Sequence, residues 1–344
     1  MKAVRLHKYH ESPVVEQVAE PKLAGPWDVI VRMGAAGLCR TDLHIIQGQF
    51  ADMTQRNLKL PYTLGHENAG WVEAVGSAVS NVAVGDTVIM HPTMSCGLCP
   101  ACRAGDDAHC SHSSFPGMDV DGGMAEYLRT NARAVIKLDP SLKPRDIAAL
   151  ADAGITAYHA VRKAVHLLPP GSHAVVIGAG GLGHIGVQVL AAITATEITV
   201  IDRSQAALEL ARQTGADHTL VAGDDEALVK QVLDITGGGA QVVFDYVGEH
   251  GTERLSPRLL RDGGSQFVIG YGGVVQLPTI EIIGREINVI GNLVGTYDDL
   301  VELMALTTRG KVKLHTKVYP LDAALDAIND LDQGSIVGRG ILVP

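Results

Sequence analysis

Hydrophobic positions change texture along this chain. Up to about residue 150 they form short alternating runs, DVIVRM, GWVEAVG and DTVIM, broken by glycine and proline. Alternation with period two buries one face of a strand and leaves the other in water, so this part predicts an antiparallel, β-rich domain. From residue 173 the runs become continuous. HAVVI is short and β-branched, and a glycine-rich turn and an apolar helix to about residue 193 come after it. Further strands are predicted at 198–201, 219–221, 241–244, 266–269 and 287–290, with helical patterns at 205–213, about 226–233 and 252–260. Ser204 is placed to cap the first of these helices and Gly215 to stop it. Strand–helix alternation of this length implies a doubly wound parallel sheet of about six strands. After a helical pattern at about 321–331, the ending VGRGILVP returns to the texture of the first part, and this segment is expected to rejoin it.

One stretch, 174–195, is nearly all apolar and long enough to cross a bilayer. Gly178, Gly180, Gly181 and Gly183 interrupt it after a β-branched run, and no basic flank marks it. Strand, tight turn and buried helix explain it better. The opening MKAVRLHKYHESPV shows no apolar segment after its early charges, so no secretory signal is expected. A length of 344 residues suggests two domains. A net charge of −10 argues against a nucleic-acid surface and fits a cytoplasmic enzyme with a small-molecule substrate.

The strand at 173–177 gives the glycine-rich turn a chemical meaning. Gly178-Ala179-Gly180-Gly181-Leu182-Gly183 matches G-x-G-x-x-G between a strand and a helix. The first glycine allows the tight turn, the second lets backbone approach a pyrophosphate, and the third lets helix and strand pack closely. Phosphates then sit at the positive end of the helix. Asp202 ends the next strand, where a carboxylate meets the ribose hydroxyls of NAD and repels the 2′-phosphate of NADP. A helix cap is its bland alternative, and Arg203 beside it could stack on adenine or hold that phosphate. Gly248, Gly270 and Tyr271 fall at strand ends and are further candidate cofactor contacts, or simply turn residues.

Two local patterns account for all five cysteines. Cys96, Cys99, Cys102 and Cys110 follow C-x2-C-x2-C-x7-C, a spacing that can close a tetrahedral shell around one zinc ion and leave no open position. Disulfides are unnecessary in a chain of this size. An iron–sulfur cluster fits less well, because the last spacing is seven and no proline follows Cys110. Cys39 stands alone in GLCRTDLH, and alone it reads as a buried inert thiol. The next motif along the chain is GHE with His66, and thiolate plus imidazole is half of a catalytic shell.

Taken in order, GLCRTDLH, GHE, the four-cysteine run, ADAGITAYHA, the glycine-rich turn with Asp202, and VGRGILVP make the chain resemble the zinc-containing medium-chain alcohol dehydrogenases over essentially its whole length. The resemblance implies an α/β protein with a GroES-like catalytic domain at 1–153, carrying the zinc lobe at about 91–112. A Rossmann domain at 154–291 and a return segment at 292–344 complete it. Two zinc ions per chain are implied, with NAD as cofactor. Cys39 and His66 match the first two catalytic zinc ligands. The third is often cysteine in this family; here Asp152 stands at the matching place. A helix N-cap is the alternative reading of Asp152. Glu67 matches a glutamate behind the metal, and Asp42 a carboxylate that fixes the ligand imidazole. Thr41 is implied to take the alcohol proton, and His44 to release it near solvent. Arg40 and Arg339 match arginines near the cofactor pyrophosphate, and Leu293 is a further candidate at the cofactor. Phe50, Trp27, Pro92 and Leu293 are possible pocket walls. The implied reaction is reversible hydride transfer between a primary or secondary alcohol and NAD. The alternatives are a polyol or amino-alcohol dehydrogenase, a zinc-free quinone reductase and a non-catalytic NAD-binding protein. A homotetramer is expected by resemblance, a dimer being the alternative.

Overall fold

The structure, a computed structural model, describes residues 1–49 and 60–344; Phe50 lies outside them. The chain divides into two compact units. The first comprises Met1–Ala153, Thr296–Thr308 and Lys313–Pro344, and the second Gly154–Gly295 and Arg309–Val312. In the first lie β1 (Lys2–Leu6), β2 (Val14–Gln17), β3 (Asp28–Leu38), β4 (Tyr62–Thr63), β5 (Glu67–Val75), β6 (Thr87–Met90), β7 (Tyr127–Asn131) and β8 (Val135–Lys137). The second contains β9 (His173–Ile177), β10 (Glu197–Asp202), β11 (His218–Val221), β12 (Ala240–Asp245), β13 (Leu260–Val268) and β14 (Asn288–Gly291). The chain ends with β15 (Thr316–Pro320) and β16 (Arg339–Val343), both back in the first unit.

In the first unit a sheet runs β15-β16-β3-β5-β6-β8, with β7 on the first half of β3, and a smaller one runs β2-β1-β4. Apart from β15 on β16, the pairs are antiparallel, as period-two burial requires. Inward residues such as Val31, Leu38, Leu43, Leu64, Met124, Ile328 and Leu342 share one core. The register matters most at the end of β3. Gly37 faces Glu67 of β5, and Leu38 faces Gly340 of β16. That register sets Cys39, Glu67 and Arg339 side by side. A Cβ on Gly37 would collide with Glu67 Oε2, so this position admits only hydrogen.

The second unit is a parallel six-stranded sheet in the order β11-β10-β9-β12-β13-β14. The chain winds outward from β9 to β11, then crosses to β12 and winds the other way. The order therefore reverses between β9 and β12, the switch point at which such sheets take ligands. Ser204 caps the helix Gln205–Thr214 through Ala207 N–H, and Gly215 ends it at φ 122°. The helical pattern at 252–260 is instead one α turn, Thr252–Leu255, followed by a 3-10 turn, Ser256–Leu259. Pro257 explains the change, having no N–H to continue an α-helix.

Candidate active site

Cys39 ends β3 and caps the helix Arg40–Ile46. Its N–H donates to Asp42 Oδ2 at 2.8 Å. The other carboxylate oxygen of Asp42 lies 3.3 Å from His66 Nδ1, and both residues are fully buried. His66 Nε2 faces the opposite way, 3.4 Å from Asp152 Oδ2. Asp152 sits in the break between the 3-10 turn Ala148–Ala151 and the helix that starts at Ala153. One ligand atom each from Cys39, His66, Glu67 and Asp152 falls within 4.8 Å of the others.

Glu67 differs from the other three. Oε1 accepts Ala153 N–H at 3.0 Å, and Oε2 accepts from Arg339 Nη2. Each of its oxygens thus has a donor, whereas both ring nitrogens of His66 are buried without a hydrogen bond. That orphaned imidazole, a thiol and a carboxylate make a donor set suited to zinc, with three protein ligands and one position left open. Burial alone would lower the pKa of His66, but Asp42, then Asp152, hold it well above its usual value. A cation entering the cluster takes the place of that proton. Arg339 is not at an open surface: it is 3% exposed, and its charge lies beside both Glu67 and Cys39.

Thr41 and His44 stand one helical turn apart on the segment that Cys39 begins, both partly buried, while Arg40 is exposed. Phe115, which no sequence pattern singles out, sets its ring 6.0 Å from that of His66. Pro92 is buried. Trp27 is 53% exposed and borders a cavity of about 430 Å³ with Cys102, Asp107, Arg133 and Tyr297. None of the residues around that cavity belongs to the Cys39 cluster, so Trp27 is not a wall of it.

The sulfurs of Cys96, Cys99, Cys102 and Cys110 form a second group within 4.8 Å. Backbone N–H groups of Leu98 and Cys99 point at Cys96 Sγ (both 3.4 Å), and that of Cys96 at Cys110 Sγ (3.3 Å). Backbone donors from Cys102 and Ser111 pull the thiol of Cys99 down to about 6. Four converging sulfurs, with no other metal-binding side chain in the group, fit a closed zinc shell.

In the second unit the glycine-rich turn joins β9 to the helix Gly183–Ile193. Gly178 has φ 87°, and a Cβ on Gly183 would collide with Gly178 O. A Cβ on Gly180 would meet nothing within 4 Å, so the middle of the turn is an open cradle at a helix N-terminus. Gly181 and Leu182 complete the turn, both partly buried. Asp202 does more than the sequence suggests. Its Oδ2 accepts Ala179 N–H and its Oδ1 accepts Ser204 N–H, each at 2.7 Å. It therefore shapes the turn, and each oxygen keeps a lone pair for a ribose hydroxyl. Arg203, next along the chain, is exposed. Tyr271 (47%) and Leu293 (57%) are exposed as well. Gly248 and Gly270 pack so closely that a Cβ on either would strike the other's turn.

Comparison with known proteins gives these clusters their context. Residues 25–140 match the alcohol dehydrogenase GroES-like domain, and residues 181–309 match the zinc-binding dehydrogenase domain. A protein of Sulfurisphaera tokodaii described as NAD-dependent alcohol dehydrogenase is 35% identical over the whole of both chains. The chain belongs to the zinc-containing medium-chain alcohol dehydrogenases. The crystal structure of the alcohol dehydrogenase from Aeropyrum pernix is similar over 100% of both chains, with 44% identity and a TM-score of 0.95. A D-arabinose 1-dehydrogenase (NADP(+)) from Saccharolobus solfataricus is 34% identical, across 100% of this chain and 97% of its own. As a member of this family the chain is a zinc-binding dehydrogenase, and the four cysteines and the Cys39 cluster are the two groups among its described residues that could hold the metal. Among the described residues, no helix is long and apolar enough to cross a membrane.

Proposed function

We propose that this chain interconverts primary or secondary alcohols with their aldehydes or ketones, using NAD in preference to NADP. The observation that carries this reading is the convergence of Cys39, His66 and Asp152, with Glu67 already engaged and Asp42 behind the imidazole. Zinc held by Cys39, His66 and Asp152 would supply Lewis acidity toward an alcohol oxygen, and a bound nicotinamide cofactor would supply the hydride acceptor. The remaining work falls to the chain. Asp42 orients His66 through Nδ1, which leaves Nε2 for the metal. Arg339 and Ala153 N–H keep Glu67 behind the cluster. Thr41 takes the alcohol proton, and His44, one turn further along, passes it to solvent. Gly180 and the helix start receive the pyrophosphate, and Asp202 selects the unphosphorylated ribose.

A panel of alcohols assayed with NAD⁺ and NADP⁺, alongside zinc analysis, tests the reading. Turnover with NAD⁺ at two zinc ions per chain is expected; wild type using NADP⁺ as well as NAD⁺ would remove Asp202 from its role. The likeness to an NADP⁺-linked D-arabinose dehydrogenase favours a second reading, a sugar or polyol substrate. Adding aldoses and polyols to the panel separates the two.

The oligomer is proposed to be a homotetramer. Val274, Ile280 and Ile283 are 66–74% exposed, in the segment that leads to β14 at the edge of its sheet, and Val289 of that strand is 44% exposed. Light scattering on the purified chain reads the mass directly. Five thiols, all free and all within metal clusters, favour the reducing cytoplasm.

A further inference from the structure

We infer that Asp245 is a positioning residue for the nicotinamide nucleotide, holding the turn after β12 in the shape the cofactor requires. The inference rests on the proposal that this unit binds such a nucleotide. Asp245 closes β12 next to β9 and is 0% exposed. Its Oδ1 accepts from Val247 N–H (3.0 Å), Gly248 N–H (2.8 Å) and Thr252 Oγ1 (3.0 Å). Its Oδ2 accepts from Ser256 Oγ at 3.3 Å. Its backbone carbonyl takes the N–H groups of Ile269 (3.0 Å) and Gly270 (2.9 Å). One residue therefore ties together the turn after β12, the helical segment that follows it and the turn after β13.

Burial pushes the carboxyl of Asp245 up, against four donors that are all neutral. A buried carboxylate without a counter-charge is an expensive way to stabilise a core. It is an effective way to fix a turn, because one oxygen can collect several N–H groups at once. The turn it fixes borders the glycine-rich cradle. Tyr246 N–H donates to Ile177 O at 3.0 Å, and a Cβ on Gly178 would meet Val247 Cγ2 at 2.7 Å. Gly248 O in turn accepts Gly273 N–H at 2.7 Å. These turns sit at the carboxyl ends of β9, β12 and β13, around the switch point. A shift of 246–248 therefore reaches the first glycine of the cradle directly.

The test is NADH binding, read by the change in its fluorescence, to the full zinc-loaded chain and its Asp245→Ala and Asp245→Asn variants. Asparagine keeps an oxygen for the same N–H groups, and its amide can donate to Ser256. The alanine variant should bind NADH at least about tenfold more weakly, a loss of about 1.4 kcal/mol. The asparagine variant should stay within about threefold of wild type. A purely structural role would lower the melting temperature of the alanine variant and leave the affinity of its folded fraction unchanged; that result overturns the inference. If the alanine variant does not fold, Thr252→Val decides, because it removes the hydroxyl that Oδ1 shares with Glu249 O and leaves the charge in place. It should weaken NADH binding by about threefold, and unchanged affinity overturns the inference. Wild type that fails to bind NADH would overturn the nucleotide reading itself, and the inference with it.

Discussion

Replacing Arg339 with methionine asks how the metal cluster is held together. The guanidinium is 3% exposed and the Glu67 carboxylate it serves is 0% exposed. Burial pushes the carboxyl of Glu67 up, and Arg339 pulls it back. Methionine fills the space of the arginine stem but leaves Glu67 with Ala153 N–H at 3.0 Å and without the guanidinium that neutralises it. Two unit charges 4 Å apart attract by ~4 kcal/mol at an effective dielectric of ~20. Removing one partner of a buried pair costs about 3–5 kcal/mol. In a unit of about 200 residues each kcal/mol moves the midpoint by ~2–4 °C, so a drop of roughly 6–20 °C is expected. Thermal melts of zinc-loaded wild type and variant, followed by circular dichroism, read it. The double variant Arg339→Met/Glu67→Gln removes both charges and should recover at least about half of the loss, since replacing a buried pair together is often neutral. A single variant that melts within about 2 °C of wild type, or a double variant no better than the single, refutes the reasoning.

Asp152→Ala should leave one zinc ion per chain, the four-cysteine site keeping its own; two ions with full activity would remove Asp152 from the ligand set. Cys99→Ser should lower the melting temperature and zinc content more than turnover, because a closed shell offers no place for substrate; a stable variant with greatly reduced turnover would contradict this. Gly183→Ala should weaken NADH binding by at least about tenfold, since its Cβ collides with Gly178 O and the turn must open; near-normal binding would show that the helix can slide. Asp202→Ser should narrow the preference for NAD⁺ over NADP⁺ by at least about tenfold in kcat/KM, through lost like-charge repulsion. It should also weaken both cofactors, because Ala179 N–H and Ser204 N–H lose their charged acceptor; an unchanged ratio would place selectivity elsewhere.

Much of this architecture is written locally. The six parallel strands come from continuous β-branched runs, and each predicted strand overlaps one of β9–β14. β13 nonetheless starts at Leu260, six residues before the predicted 266, because Arg261, Asp262, Gly263 and Gly264 form an irregular stretch where the register with β12 shifts. The helix Tyr297–Thr308 had a legible start that the apolar pattern hid. Thr296 and Asp299 cap each other, Thr296 N–H to Asp299 Oδ2 at 2.8 Å and Asp299 N–H to Thr296 Oγ1 at 3.2 Å. The metal-binding candidates were legible for the same local reason: each sits in its own short motif. Strand register joins those motifs, and no local pattern encodes it. Arg339 and Glu67 are 272 positions apart, and they meet only because β16 and β5 flank the same end of β3. Asp202 reads as a strand end and Asp245 lies just past the predicted strand 241–244, and their work as collectors of backbone N–H groups exists only once the turns have folded. One signal for this long-range contact was nevertheless present. In VGRGILVP a single arginine begins an apolar strand, and a guanidinium there must find a carboxylate, since an unpaired charge in a core costs too much to keep. Buried charges in apolar segments thus report that a distant partner exists, while its identity waits on the sheet that brings the two together.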